Sequence, residues 1–223
     1  MKKKYYLFQM KTDILNILSL VIMFILIVLL YFMYGKSIMN IFTDGFSLTF
    51  ILMIPYFALH EIFHSIAYVV YGANFKNITY GAHLEKGVFC CLCKQNITKK
   101  NILISLLYPF IFLGLITLII GIIFNIYPLI LLSIMNISGC TGDFIMFYDL
   151  VRIKDFEFSE FDDPISFALY TNEDLSKSKL LGLKFLGETN KLERTINKKI
   201  EISKTTIIYC IIFLIIGLIN YFL

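Results

Sequence analysis

Charge is scarce in this sequence. Only 16% of its 223 residues are Asp, Glu, Lys or Arg, while 58% are hydrophobic; soluble domains carry about 25% charged residues. A globule of this size cannot hide that much apolar surface, which excludes an ordinary soluble enzyme, and a chain this apolar is not disordered. Histidine is scarcer still, at three residues. No internal repeat, linker or low-complexity tract is present, and no small-residue cleavage site follows the first apolar stretch, so that stretch reads as a retained helix and not a signal peptide. The same apolar excess argues against a disulfide-knotted secreted domain. The class that remains is a multi-spanning membrane protein. The net charge of +4 is then a topology signal, with no sign of a nucleic-acid partner.

About 20 apolar residues cross a bilayer as a helix, and five stretches have that length: Ile14 to Tyr34, Phe46 to Tyr71, Ile102 to Phe124, Tyr127 to Val151 and Thr205 to Leu223. The third and fourth are joined by a tight hairpin in which Pro128 opens the fourth, where a missing N–H costs nothing. Pro55 and Pro109 interrupt the second and third. An N-terminus in the cytoplasm puts all of the 20 basic residues except Lys36 on that side, as the positive-inside rule favours. The expectation is an all-α integral cell membrane protein, multi-pass, with about five transmembrane helices and a cytoplasmic N-terminus. A small cytoplasmic β-hairpin is predicted around Glu85-Lys86-Gly87, from Ile78 and Tyr80 to Val88 and Phe89. The whole chain, 1–223, reads as one membrane domain: a core over 46–151, a cytoplasmic segment over 152–204 that opens with strand-like alternation before Pro164, and a final helix over 205–223. The basic stretch from Lys191 to Lys204 suits anionic lipid heads.

The second span contains His60-Glu61-Ile62-Phe63-His64. Residues four apart share a helix face, so both imidazoles can meet one ion, and Glu61 can reach a water on it. This is the zinc-peptidase pattern H-E-x-x-H. Each strongly polar side chain at membrane depth costs on the order of 2–3 kcal/mol, and a metal ion offsets that cost for several at once. Catalytic zinc usually takes three protein ligands and keeps one position open. His83 lies in a cytoplasmic loop and would have to fold back to supply the third. Asp143 is the better candidate, an acid in the fourth span at a depth similar to that of His64. Asn136, Gly139 and Asp143 are predicted to share one face, with Gly139 and Gly142 allowing a close approach to the second span. Asp149 lies one turn from the boundary and reads as interfacial. Cys90, Cys91 and Cys93 contain one C-x-x-C pair but no second, and read as thiols on a hairpin in a reducing compartment. Asn77-Ile-Thr79 and Asn96-Ile-Thr98 match glycosylation acceptors, but on the cytoplasmic side they read as chance.

A membrane helix bearing His60-Glu61-x-x-His64, a hairpin-like loop and a later helix bearing Asp143 resembles the site-2 protease type of intramembrane metalloprotease. More narrowly, the chain resembles, over roughly residues 46–170, the family of small bacterial membrane proteins described as putative zincin peptidases. That resemblance implies Zn2+ held by His60, His64 and Asp143, with Glu61 as general base. The chain departs from typical site-2 proteases in that Gly142 precedes Asp143 and Phe144 follows it. Asn136 is a further candidate for catalysis, as a hydrogen-bond donor to substrate or oxyanion. The expected substrate is a membrane-anchored protein or peptide, unwound at the cleavage point and paired to an edge of the hairpin. Two other readings compete. An inactive zinc-binding scaffold has no need of Glu61, and a small transporter would show broken helices in two symmetric halves, which the sequence lacks.

Overall fold

In a computed structural model, residues 3–83, 88–160 and 166–192 are described, the side chains of 81–83 and 88–90 excepted. Strand β1 (Lys4–Met10) is followed by helix α1 (Thr12–Tyr34), a 3-10 turn (Gly35–Ser37) and helix α2 (Ile38–Val70). Strands β2 (Ile78–His83), β3 (Val88–Cys93) and β4 (Ile97–Thr98) lead to α3 (Lys99–Pro109), a π-helical stretch (Phe110–Ile116) and α4 (Thr117–Phe124). Helices α5 (Tyr127–Gly139) and α6 (Thr141–Val151) and strands β5 (Glu157–Glu160), β6 (Ser166–Thr171) and β7 (Leu183–Thr189) complete the order.

The expected all-α class is corrected by two sheets. One has five strands, all paired antiparallel, in the order β4-β5-β6-β1-β7, and the other is the antiparallel pair β2-β3. The predicted hairpin strands are therefore present, with Ile78 opposite Cys93 and His83 opposite Val88. The larger sheet was hidden because its strands come from distant segments. Lys4 pairs with Thr171 and Tyr5 with Thr189, so the run that read as a basic flank of the first span is a central strand. Its alternation is visible once known: Tyr6 and Phe8 are buried, and Phe8 packs against Phe167 and Phe185.

The count of about five spans is also corrected. Among the described residues, three stretches are long and apolar enough to cross a membrane: Thr12–Val70, Lys99–Phe124 and Tyr127–Val151. These are consistent with membrane association. The first two expected spans fall, but for Tyr71, within the 59 residues of Thr12–Val70, which include a 3-10 turn at Gly35–Ser37; the φ of 55° at Gly35 suits glycine. The expected fifth span and most of the basic stretch lie outside the described residues.

The described residues group into two compact units. One holds the chain up to Leu15, Glu61–Tyr108 and the residues from Gly142 on; the other holds Asn16–His60 and Pro109–Thr141. The first contains the sheets and a core built on Phe8, Phe158, Leu150, Leu169 and Leu175. The second is helical. Gly45 brings α2 so near α5 that a Cβ there would lie 3.1 Å from Tyr127, and Gly114 brings the π-helical stretch near Ile137. Of the glycines predicted to bring the fourth span to the second, Gly139 faces α2 and Gly142 does not. A Cβ on Gly139 would make only ordinary contact with Phe57, at 3.9 Å, and Gly142 is close to Met10 and Leu15.

Candidate metal centre

Helix α2 is unbroken through the H-E-x-x-H motif, so His60 and His64 stand on successive turns of one face and Glu61 is the residue after His60. Asp143 lies in the first turn of α6. Its Oδ1 is 3.6 Å from Nε2 of His64, with the two side chains 17% and 10% exposed. One ligand-capable atom from each of His60, His64 and Asp143 lies within 4.8 Å of the other two. Zinc binds N and O ligands at about 2.0–2.2 Å, which puts tetrahedral ligands about 3.4 Å apart, so these residues fit the ion without rebuilding the backbone. Two imidazoles and one carboxylate leave a fourth position for water. The structure thus brings together the three predicted ligands.

The neighbours of the histidines are well defined. Nδ1 of His60 is 2.8 Å from Oδ1 of Asn136. The Asn136 amide Nδ2 donates to the carbonyl of Pro109 at 3.1 Å and approaches Sγ of Cys140 at 3.7 Å, and Asn136 is fully buried. Nδ1 of His64 is 3.0 Å from the carbonyl oxygen of Ser105, and Ser105 Oγ donates back to the His64 carbonyl at 3.4 Å. His83 ends β2, and its side chain lies outside the described residues. Cys91, Cys93 and Cys140 are buried; the Cys90 side chain lies outside the described residues. Asp149 is fully buried, holding the backbone N–H groups of Leu181 and Gly182.

Sequence reasoning missed Glu160. Its carboxylate accepts from the hydroxyl of Tyr68 at 3.3 Å and from the backbone N–H of Cys93. Tyr68 lies four residues after His64, on the face that carries both histidines, so its position was a signal that could have been read. The partner acid, nearly a hundred residues later, gave none. Burial raises the Glu160 carboxyl to about 8, although the Cys93 N–H and Tyr68 hydroxyl favour the charged form and His64 also acts in that direction. Because this value lies above the ordinary 4.5, the folded chain keeps a proton that the unfolded chain has lost. The stability this proton contributes is fully present below about pH 4.5 and is lost as pH rises through about 8. In the metal-free protein the unfolding midpoint is expected to fall across that window, and Glu160→Gln to flatten the fall. Equal slopes for wild type and variant would show that Glu160 does not carry it.

Comparison with known families gives one match: a family model described as "Putative zincin peptidase" aligns with residues 50–155, a little under half of the chain. No curated protein and no solved structure matches. The matched residues include the whole H-E-x-x-H motif, Ser105, Pro109, Asn136 and Asp143. Over this span the chain is similar to a zincin-like family, which supports a metallopeptidase that uses zinc.

Proposed function

We propose that this chain is an intramembrane zinc metallopeptidase, of the site-2 protease kind, that hydrolyses a peptide bond in a membrane-anchored protein or peptide. The observation that carries this reading is the convergence of His60, His64 and Asp143 beside Glu61, on helical stretches apolar enough to cross a membrane. Bound zinc supplies a Lewis acid that brings the pKa of a coordinated water toward about 7 and polarises a carbonyl. His60, His64 and Asp143 would hold the ion. Glu61 takes the proton from the water and returns it to the departing amine, so one carboxylate serves as base and then acid. A helical substrate shields its carbonyls within its own hydrogen bonds, so it must unwind at the scissile bond before it can enter. The distribution of lysine and arginine favours a cytoplasmic N-terminus in a multi-pass chain.

The test uses the purified full chain in detergent or vesicles. Zinc is expected at one ion per chain, with cleavage of a model transmembrane substrate that stops on chelation and returns with zinc. His64→Ala and Asp143→Ala are each expected to lose most of the zinc and the cleavage. Full zinc in Asp143→Ala would place the third ligand elsewhere. Tight zinc with no cleavage of any membrane substrate would favour the inactive zinc-binding scaffold.

A further inference from the structure

Both candidate zinc histidines are oriented by groups that meet at a single proline. In a regular helix the carbonyl of Ser105 would accept the N–H of residue 109. Residue 109 is proline, which has no N–H and whose ring crowds that carbonyl. Ser105 is fully buried, so its carbonyl needs another donor, and Nδ1 of His64 sits 3.0 Å away. A carbonyl oxygen can only accept, so the His64 proton is on Nδ1. That leaves Nε2, the nitrogen 3.6 Å from Asp143, as the one to face the metal position.

The carbonyl of Pro109 itself orients the second ring. It accepts from Nδ2 of Asn136 at 3.1 Å, which fixes which end of the buried amide is nitrogen. The amide oxygen is thereby turned to His60, 2.8 Å from Nδ1. An amide oxygen also only accepts, so His60 too is protonated on Nδ1 and offers Nε2. The backbone supports this arrangement. It widens into the π-helical stretch Phe110–Ile116 directly after Pro109, as occurs at functional sites. Gly114 lets this stretch lie against α5: a Cβ there would be 2.8 Å from Ile137 and 3.6 Å from Nδ2 of Asn136.

We infer that Pro109 is a positioning residue that sets both His60 and His64 as Nδ1–H tautomers with Nε2 toward the metal, the first through the Asn136 amide and the second by vacating the Ser105 carbonyl. This gives Asn136 a role in holding a ligand, its polar atoms being committed to His60, Pro109 and Cys140. The inference rests on the zinc reading for its purpose, but the tautomers belong to the metal-free chain and can be read without it.

The experiment uses 15N-histidine-labelled full-length protein. With three histidines in the chain, the spectrum is sparse, and His83→Gln assigns the third. Spectra are taken metal-free at about pH 8, above the ordinary imidazole pKa near 6.5; protonated and bare ring nitrogens have well-separated shifts. In wild type, His60 and His64 are expected to carry the proton on Nδ1. Pro109→Ala restores an N–H that competes for the Ser105 carbonyl. It is expected to convert His64 toward the Nε2–H form and to weaken zinc about 10- to 100-fold in chelator competition, as outer-shell changes do. Helix content should hold or rise, because alanine suits a helix interior better than proline. A kink with a purely structural role would not move the ring nitrogens.

Asn136→Leu leaves the α3 sequence untouched and is expected to shift the His60 signals alone. It therefore keeps the test alive if Pro109→Ala folds poorly. A bare Nδ1 on either ring in wild type overturns the inference. So does a Pro109→Ala protein with unchanged histidine spectra and zinc affinity within about twofold of wild type. Wild-type protein that binds no zinc but shows both Nδ1–H rings would sink the peptidase reading and support the positioning role.

Discussion

Replacing Glu61 with glutamine is expected to slow peptide cleavage by about a hundred- to ten-thousand-fold while the zinc content stays at the wild-type level. The substitution preserves size and helix propensity and leaves all three candidate ligands in place; it removes only the ability to take up a proton. Glu61→Ala should give the same zinc content and a similar loss of rate. Cleavage near the wild-type rate in either variant would show that the base is another group. Loss of zinc from both would make Glu61 part of the coordination sphere. The large expected effect follows from the place of Glu61 in the motif: directly after one ligand and three residues before the other, it is carried by the same helix that holds the ion.

The metal centre was legible because helix geometry makes spacing into proximity. His60 and His64 share a face in any helix, whatever surrounds it. Asp143 could be matched to them because it is an acid in a later apolar stretch, about as far before the basic flank at Arg152 as His64 is before Asn74. The sheet was not legible for the opposite reason. Alternation marked β5 before Pro164 and is present in β1, but the register that pairs Lys4 with Thr171 and Met10 with Leu183 leaves no mark in either segment alone. The run Lys4–Met10 sits beside a long apolar helix, and its lysine draws attention to topology before its alternating Tyr6 and Phe8 draw attention to a strand. Hydropathy also merges what the backbone assignment separates: α5 and α6 form one apolar stretch, with Cys140 between them. Ser105 was invisible because it acts through a main-chain carbonyl, which any residue possesses. The readable trace of that contact was the proline four residues on.

Asp149→Asn is expected to be the most damaging single substitution away from the metal centre. The carboxylate is fully buried, and each oxygen accepts one backbone N–H at 3.0 Å, Oδ1 from Leu181 and Oδ2 from Gly182. The carbonyl of Gly182 in turn accepts the N–H of Lys11 at 2.8 Å, and the Lys11 ammonium donates to the carbonyls of Leu180 and Leu181. Asp149 therefore fixes the point where the chain enters β7, and through Lys11 the point where β1 hands over to α1. Asparagine keeps one acceptor oxygen but turns an NH2 group toward the other backbone N–H. One charge-assisted bond is lost and a buried donor is left facing a donor, together about 3 kcal/mol. For a chain of this size that corresponds to a fall of about 6–12 °C in the unfolding midpoint, measurable by circular dichroism of the detergent-solubilised protein. Gly182→Ala attacks the same junction from the other side, because a Cβ there would come 2.1 Å from Cγ2 of Ile145; overpacking of this kind costs about 1–3 kcal/mol. The two substitutions share one contact, so the double variant should lose less than the sum of the two. An Asp149→Asn protein that unfolds within about 1 °C of wild type would mean that the clasp does not limit stability and that the sheet is held by its strand pairing alone.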